Sequence, residues 1–250
     1  MDRSQTVRFE STKVDNFQYL CTYMAKVFKR ILILTPLTLI ALSVLQVLVL
    51  KWAPVYVTPI MVKRSIENRH NEKYAIHHTW VSLDRISSSL PKVVIASEDN
   101  LFNEHHGFDI NSIREAKKER DSGRRKRGAS TISQQTAKNL FTFGSRTWFR
   151  KGVETYYTFL IETFWSKERI MEVYLNVAEM GTGIFGAEAA AEIYFHKNAV
   201  KLTRPESALI AVCLPNPHKM HPDRPSAYVL KRQRAIIELS RKLAYPAWLK

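Results

Sequence analysis

The sequence predicts a mainly α-helical domain behind one N-terminal transmembrane helix. Three observations carry that prediction. Ile31 to Leu50 reads ILILTPLTLIALSVLQVLVL and contains no charged residue. Beyond it, apolar residues recur at helical spacing, and no stretch sustains the alternation of a half-buried strand. Ser, Thr, Gly and Pro fall where helix caps and stops belong.

The elements follow in order. About 20 apolar residues span a bilayer core at about 1.5 Å per residue. A cleaved signal peptide fits poorly: the run is long, and Lys51-Trp52-Ala53-Pro54 follows it rather than a small-residue cleavage site. Lys26, Lys29 and Arg30 precede the span, so the positive-inside rule puts the N-terminus in the cytoplasm. The expected divisions are 1–30 cytoplasmic, 31–50 anchor, 51–75 a connector broken by Pro54 and Pro59, and 76–250 the extracytoplasmic domain. Pro91 suits the first position of a helix carrying Val93, Val94 and Ile95 into Glu98-Asp99. Ser130 or Thr131 can cap a helix through Gln134, Gln135 and Lys138. Trp148 to Trp165 places Val153, Tyr157, Leu160, Ile161 and Phe164 at helical spacing. Ser166 caps the next, with Ile170, Val173, Tyr174 and Val177 inside. Gly181, Gly183 and Gly186 break the pattern. Ala187 to Tyr194 is Ala-rich and helical, and Pro205 opens a helix that Pro215 and Pro217 stop.

The formal charge of +15 calls for an anionic partner. Ser112 to Lys151 alone holds twelve Lys/Arg against three Asp/Glu. No nucleic-acid motif accompanies the run Arg124-Arg125-Lys126-Arg127, which leaves anionic headgroups or a pyrophosphate as its ligand, or a solvated loop. The two cysteines, Cys21 and Cys213, lie on opposite sides of the expected membrane, so no disulfide is expected. No metal-ligand spacing occurs. His218 and His221 read as loop or surface residues.

Three polar motifs carry the chemistry. Glu98 follows an apolar run, where burial raises a carboxyl pKa toward the range of a general acid or base. The bland alternative is a solvated surface Glu. Ser130-Thr131-Ile132-Ser133-Gln134-Gln135 offers amides and hydroxyls that both donate and accept, as sugar hydroxyls require. An ordinary exposed polar helix reads the same way. Arg146, Arg150 and Lys151 lead into Glu154. Arg150 and Glu154 share a helical face, either as an ordinary ion pair or as part of a pyrophosphate pocket. Two carboxylates flanking a cleft are the usual apparatus at a sugar anomeric carbon.

In sequence, these motifs resemble the family 51 glycosyltransferases, the peptidoglycan glycosyltransferases. The family pattern runs E-D-x-x-F-x-x-H-x-G, G-x-S-T-I-x-Q-Q-x-x-K-N and R-K-x-x-E. Tyr174-Leu175-Asn176 with Gly181, Gly183 and Gly186 resembles a fourth motif, and Glu206 through Pro217 a fifth. The resemblance covers about Ser82 to Pro222. It implies a lysozyme-like, two-lobed catalytic domain that polymerises lipid II into β-1,4-linked glycan and releases polyprenyl diphosphate. It makes Glu98 the catalytic base and Glu154 the second catalytic carboxylate. Asp99, Phe102, His105, Gly107, Ser130, Thr131, Gln134, Gln135, Lys138, Asn139, Arg146, Arg150 and Lys151 fall on motif positions and are expected to bind substrate. The chain ends at Lys250 with too little sequence for the transpeptidase domain of bifunctional relatives, so a monofunctional enzyme is expected. No cofactor is expected and no metal ligands are assigned; stimulation by a divalent cation stays open. The implied partners are lipid II, the growing lipid-linked glycan, the bacterial inner membrane and other cell-wall synthesis proteins, but no nucleic acid. Two alternatives remain. One is a lysozyme-like lytic enzyme, which needs no cationic second site; the other is a non-enzymatic tethered binder of anionic polymers, which leaves the Glu98 motif unexplained.

Overall fold

The computed structural model describes residues 3–123, 130–144 and 147–249. The basic run 124–127 and Arg146 lie outside the described residues. The chain divides into two compact units, Met1–Val49 and Leu50–Lys250.

The first unit is essentially one helix. Helix α1, Arg3–Leu50, joins the expected cytoplasmic segment and anchor without a break, and Pro36 lies inside it. Lys26–Leu50 is long and apolar enough to cross a membrane. Leu32, Leu34, Leu37, Leu39, Ile40 and Leu42 are all more than half exposed on it. Apolar side chains on every side of a helix suit an apolar solvent.

The second unit begins with an element the sequence had left in the connector. Thr58 accepts the N–H of Met61 and caps α2, Pro59–Glu67, with Pro59 at its first position. β1, His77–His78, follows. Helix α3, Ser89–Glu98, starts two residues before Pro91, the expected first position. Pro91 is tolerated there because the first-turn N–H groups have no helical partner. Leu90, Val93, Val94 and Ile95 of α3 are buried. Then come α4, Ile110–Asp121; α5, Ile132–Phe141; α6, Trp148–Phe164; and α7, Lys167–Val177. β2, Glu179–Gly181, and β3, Ile184–Phe185, complete a small sheet in the order β1-β3-β2. β1 and β3 are parallel, β2 and β3 antiparallel. Gly186 then holds φ +86°, and a Cβ there would lie 2.5 Å from the Asn176 carbonyl oxygen, so only glycine makes the turn into α8, Ala187–Phe195. Thr203 and Glu206 form a capping box on α9, Arg204–Cys213. Ser226 caps α10, Ala227–Lys242, which the reading of the sequence did not foresee.

Packing sorts these helices into two groups. α3, α9 and α10 pack on one another; α5 packs on α6, α7 and α2. α3 and α5 meet where the motifs lie. Arg169 of α7 is sandwiched 5.2 Å from the Trp80 ring and 5.9 Å from Trp165. It donates to the carbonyl oxygens of Leu50 and Ala53, which ties the start of this unit to α7.

Candidate active site

Glu98 is the last residue of α3, and Asp99 ends the helix. The turn after it folds back on α5. Asp99 accepts from His105 Nε2 at 2.8 and 3.0 Å, and from the backbone N–H of Ile132, the first residue of α5, at 3.0 Å. A carboxylate at a helix N-terminus satisfies an orphan donor and meets the positive end of the helix dipole. The Gly107 N–H donates to His105 Nδ1, which leaves the proton on Nε2 to face Asp99. The Thr131 hydroxyl donates to the Gly107 carbonyl at 2.7 Å. Gly107 has φ +85°, and a Cβ would come within 3 Å of both Thr158 and Glu162. Lys167 Nζ binds the His105 carbonyl at 2.7 Å and Glu162 at 2.8 Å, above the fully buried Phe102 ring.

Helix α5 divides its polar residues between two tasks. Thr131 and Gln134 form a reciprocal capping box and are buried. Ser133 donates to Glu162 of α6. Gln135, Lys138 and Asn139 line a groove of about 370 Å³. Its other walls are Tyr174 of α7, Glu179 of β2, Lys63 and Arg64 of α2, and Pro215 to His218 after α9. A larger cavity of about 430 Å³, between Ile86, Pro91 and Trp248, is lined by none of the motif residues.

Glu98 is tied to this groove through Gln135, which lines it. Its Oε2 accepts from Gln135 Nε2 at 2.9 Å. Burial pushes the Glu98 carboxyl pKa up; the bonds from Gln135 and Ser97 and the charge of Lys138 pull it down, and Asp99 adds to the rise. Burial lowers the pKa of the Lys138 ammonium, while Glu154 and then Glu98 raise it. Arg150 lowers it and Glu179 raises it as well, so both carboxylates of the motifs act on one half-buried cation. Among the described residues, Lys138 Nζ makes no hydrogen bond or ion pair of its own, and it stands open to the groove.

Glu154 is differently placed. It lies in the second turn of α6, which Thr147 caps, and its side chain is 3% exposed. Arg150 Nη1 binds one carboxylate oxygen and Lys151 Nζ the other. The Arg150 Nε is buried without a partner.

A sequence profile described as Transglycosylase matches residues 64–241. The chain belongs to the transglycosylase family. A biosynthetic peptidoglycan transglycosylase of Bacteroides thetaiotaomicron is 56% identical over 200 residues, covering 80% of this chain and 81% of that one. Proteins of the same description from Bdellovibrio bacteriovorus and Caulobacter vibrioides are 50% and 46% identical; they cover 76% and 86% of this chain, and 77% and 91% of their own.

Within this transglycosylase the motif residues separate by position. Gln135, Lys138 and Asn139 line the groove, Ser130 is exposed, and Arg150 and Lys151 surround Glu154. Asp99, Phe102, His105, Gly107, Thr131 and Gln134 are committed to one another or to the core. Three groove residues had no motif signal in the sequence. Arg64 donates to Glu179 Oε2 at 3.0 Å and contacts His218 Nε2 at 2.9 Å, and His218 reaches Thr182. His218 is a loop residue, as read from sequence, but the loop it sits on is a wall of the groove. The sequence marked Pro215 and Pro217 as a helix stop and as the end of the fifth motif, one residue short of His218.

Proposed function

We propose that this peptidoglycan glycosyltransferase uses Glu98 as the general base of glycan polymerisation. The 4-hydroxyl of an acceptor GlcNAc attacks the anomeric carbon of a lipid-linked donor, and Glu98 takes the hydroxyl proton as the bond forms. The substrate is lipid II and the growing lipid-linked glycan. A single displacement inverts the anomer and gives a β-1,4 link. The leaving group is a polyprenyl diphosphate. Lys138, Arg150 and Lys151, with Arg146, stabilise the charge that develops on it. Glu154 holds Arg150 and Lys151 in place for that task. Direct substrate contacts are assigned to Ser130, Gln135, Lys138, Asn139, Arg150 and Lys151. Asp99, Phe102, His105, Gly107, Thr131 and Gln134 support them from behind. The chemistry assigned here needs no cofactor; a divalent cation would act, if at all, on the diphosphate.

The observation that carries this reading is the shared cation. A half-buried Lys138, without a bonded partner among the described residues, lines the open groove beside the Gln135 that bonds Glu98, and the charges of Glu98 and Glu154 both act on it. A lytic enzyme with a single acid has no use for the cationic half.

The protein is a single-pass inner-membrane enzyme with its N-terminus in the cytoplasm and the groove outside. Trp148 is 93% exposed and Phe149 84% exposed at the start of α6, next to Arg150 and Lys151. Aromatics beside cations are the composition of a membrane-interface contact. Other cell-wall synthesis proteins are the natural partners of such an enzyme.

The test is to give the purified full chain lipid II in one arm and finished peptidoglycan in the other. Glycan polymer from lipid II is the expected result. Release of soluble fragments from finished peptidoglycan, with no polymer, would overturn the proposal in favour of lysis.

A further inference from the structure

Resting on Glu98 as the base, we propose that Tyr174 is a positioning residue for it, acting through the Gln135 amide. The geometry is a three-member relay across three helices. Tyr174 of α7 donates its hydroxyl to Gln135 Oε1 at 3.3 Å. The Gln135 amide then presents Nε2–H to Glu98 Oε2 at 2.9 Å.

An amide has two nearly isosteric ends, one that donates and one that accepts. Left alone, Gln135 can turn either end toward Glu98. Tyr174 weights that choice: its buried hydroxyl donates to the carbonyl end, and with the amide reversed the hydroxyl proton would lose its only acceptor among the described residues, so the amino end is left for the base. The orientation decides the chemistry. An N–H aimed at Glu98 favours the ionised carboxylate, which can accept a proton. A carbonyl aimed at it favours the protonated acid, which cannot.

Tyr174 is suited to this task. Its side chain is 1% exposed, so water does not compete for the hydroxyl. Burial, then Glu98 and Asp99, push its pKa well above the ordinary phenol value. It therefore remains a donor at every pH at which the enzyme works. The groups that act on Glu98 are Gln135 and Lys138 from α5 and Ser97 and Asp99 beside it on the chain; from α7 the Tyr174 hydroxyl reaches it through Gln135. Lys138 also favours the ionised form, but as a charge it does not depend on which way the amide points. No bond to the substrate is required of Tyr174, so its contribution belongs in kcat and in the pH profile rather than in KM.

The experiment compares the full chain with Tyr174→Phe, Gln135→Met and the double variant on lipid II between about pH 5 and pH 9. Removing one hydrogen bond should lower kcat about 3- to 10-fold in Tyr174→Phe, with KM within about twofold. The acid limb of kcat/KM should move to higher pH. The sign follows from the relay: without an oriented N–H the ionised base is less favoured, its pKa rises, and more alkaline solution is needed to ionise it. Gln135→Met should move the limb the same way, and the double variant should move it no further than Gln135→Met alone, because Tyr174 has nothing left to orient. A Tyr174→Phe enzyme whose acid limb coincides with the parent's would overturn the relay, even if its thermal stability fell, since that is a merely structural role. Additive limb shifts in the double variant would overturn it too. Absence of polymer from the parent chain itself would instead refute the assignment of the base on which the relay rests.

Discussion

The two glutamates of the site are the same residue in opposite surroundings. Glu98 ends an apolar helix and meets two neutral donors, Gln135 and Ser97, so desolvation dominates and its pKa rises. Glu154 is more deeply buried yet grips a cation with each oxygen. The first arrangement produces a carboxylate that gains by accepting a proton. The second binds Arg150 with one oxygen and Lys151 with the other, which fits the proposed task of holding both cations in place. Environment, rather than residue type, divides the labour, and the charge of Lys138 couples the halves.

The sharpest way to break this contrast is to make both carboxylates amides. Glu98→Gln should reduce polymerisation about 10²- to 10⁴-fold while lipid II still binds, because the amide keeps the shape but cannot take the proton. Near-parental glycan chains on a gel would remove Glu98 from its role. Glu154→Gln should cost about 10²- to 10³-fold, as the loss of electrostatic support for the leaving group. The position of its acid limb should stay that of the parent, since the base is intact. A shifted limb in Glu154→Gln would make Glu154 part of the base.

Stability should separate the pair in sign. Glu98 has a folded-state pKa above its unfolded value. Its charged form is therefore a burden that is absent below the unfolded carboxyl range and is complete once pH exceeds the folded pKa. Glu98→Gln should raise Tm near neutral pH, and the gain should vanish in acid. Glu154→Gln leaves the mostly buried Arg150 without its full partner and should lose about 1–3 kcal/mol, discounted for the exposure of Lys151. Thermal melts at two pH values check both; a shared sign would erase the distinction.

Smaller effects come from outside the two carboxylates. Thr131→Ala removes the cap of α5 and should cost about 1 kcal/mol of stability, measured by denaturant midpoint, with less than tenfold loss of activity. A larger loss of activity than of stability would return Thr131 to direct substrate contact. Smallest of all, removing 1–49 should leave polymerisation in detergent within about twofold of the parent, because the Arg169 contacts to Leu50 and Ala53 survive the cut. Activity on vesicle-borne lipid II should fall as effective concentration falls. An inactive but folded truncate in detergent would make the anchor part of the site.

The sequence by itself determined the local geometry. Uncharged length gave the anchor, helical spacing gave most helices, and the four-residue offset of Arg150 and Glu154 put them on one face before any packing was known. A cap at Ser130 or Thr131 was visible; the structure settles it on Thr131, in a capping box with Gln134. Only the tertiary structure decided which polar side chains of α5 face the groove. The motif reads as one sugar-binding strip, whereas Thr131, Ser133 and Gln134 are buried in internal bonds and Gln135, Lys138 and Asn139 reach the opening. It also decided that Asp99 bonds the start of a helix 33 positions away, and that Gln135 bonds Glu98, 37 positions before it. Arg64, Glu179 and His218 are scattered through the chain and carry no spacing signal, and α2 was hidden in a proline-broken connector. Periodicity is a property of neighbours on one helix. A groove is made where helices distant in sequence bury their apolar faces against each other, and what they leave facing each other there is settled by packing alone.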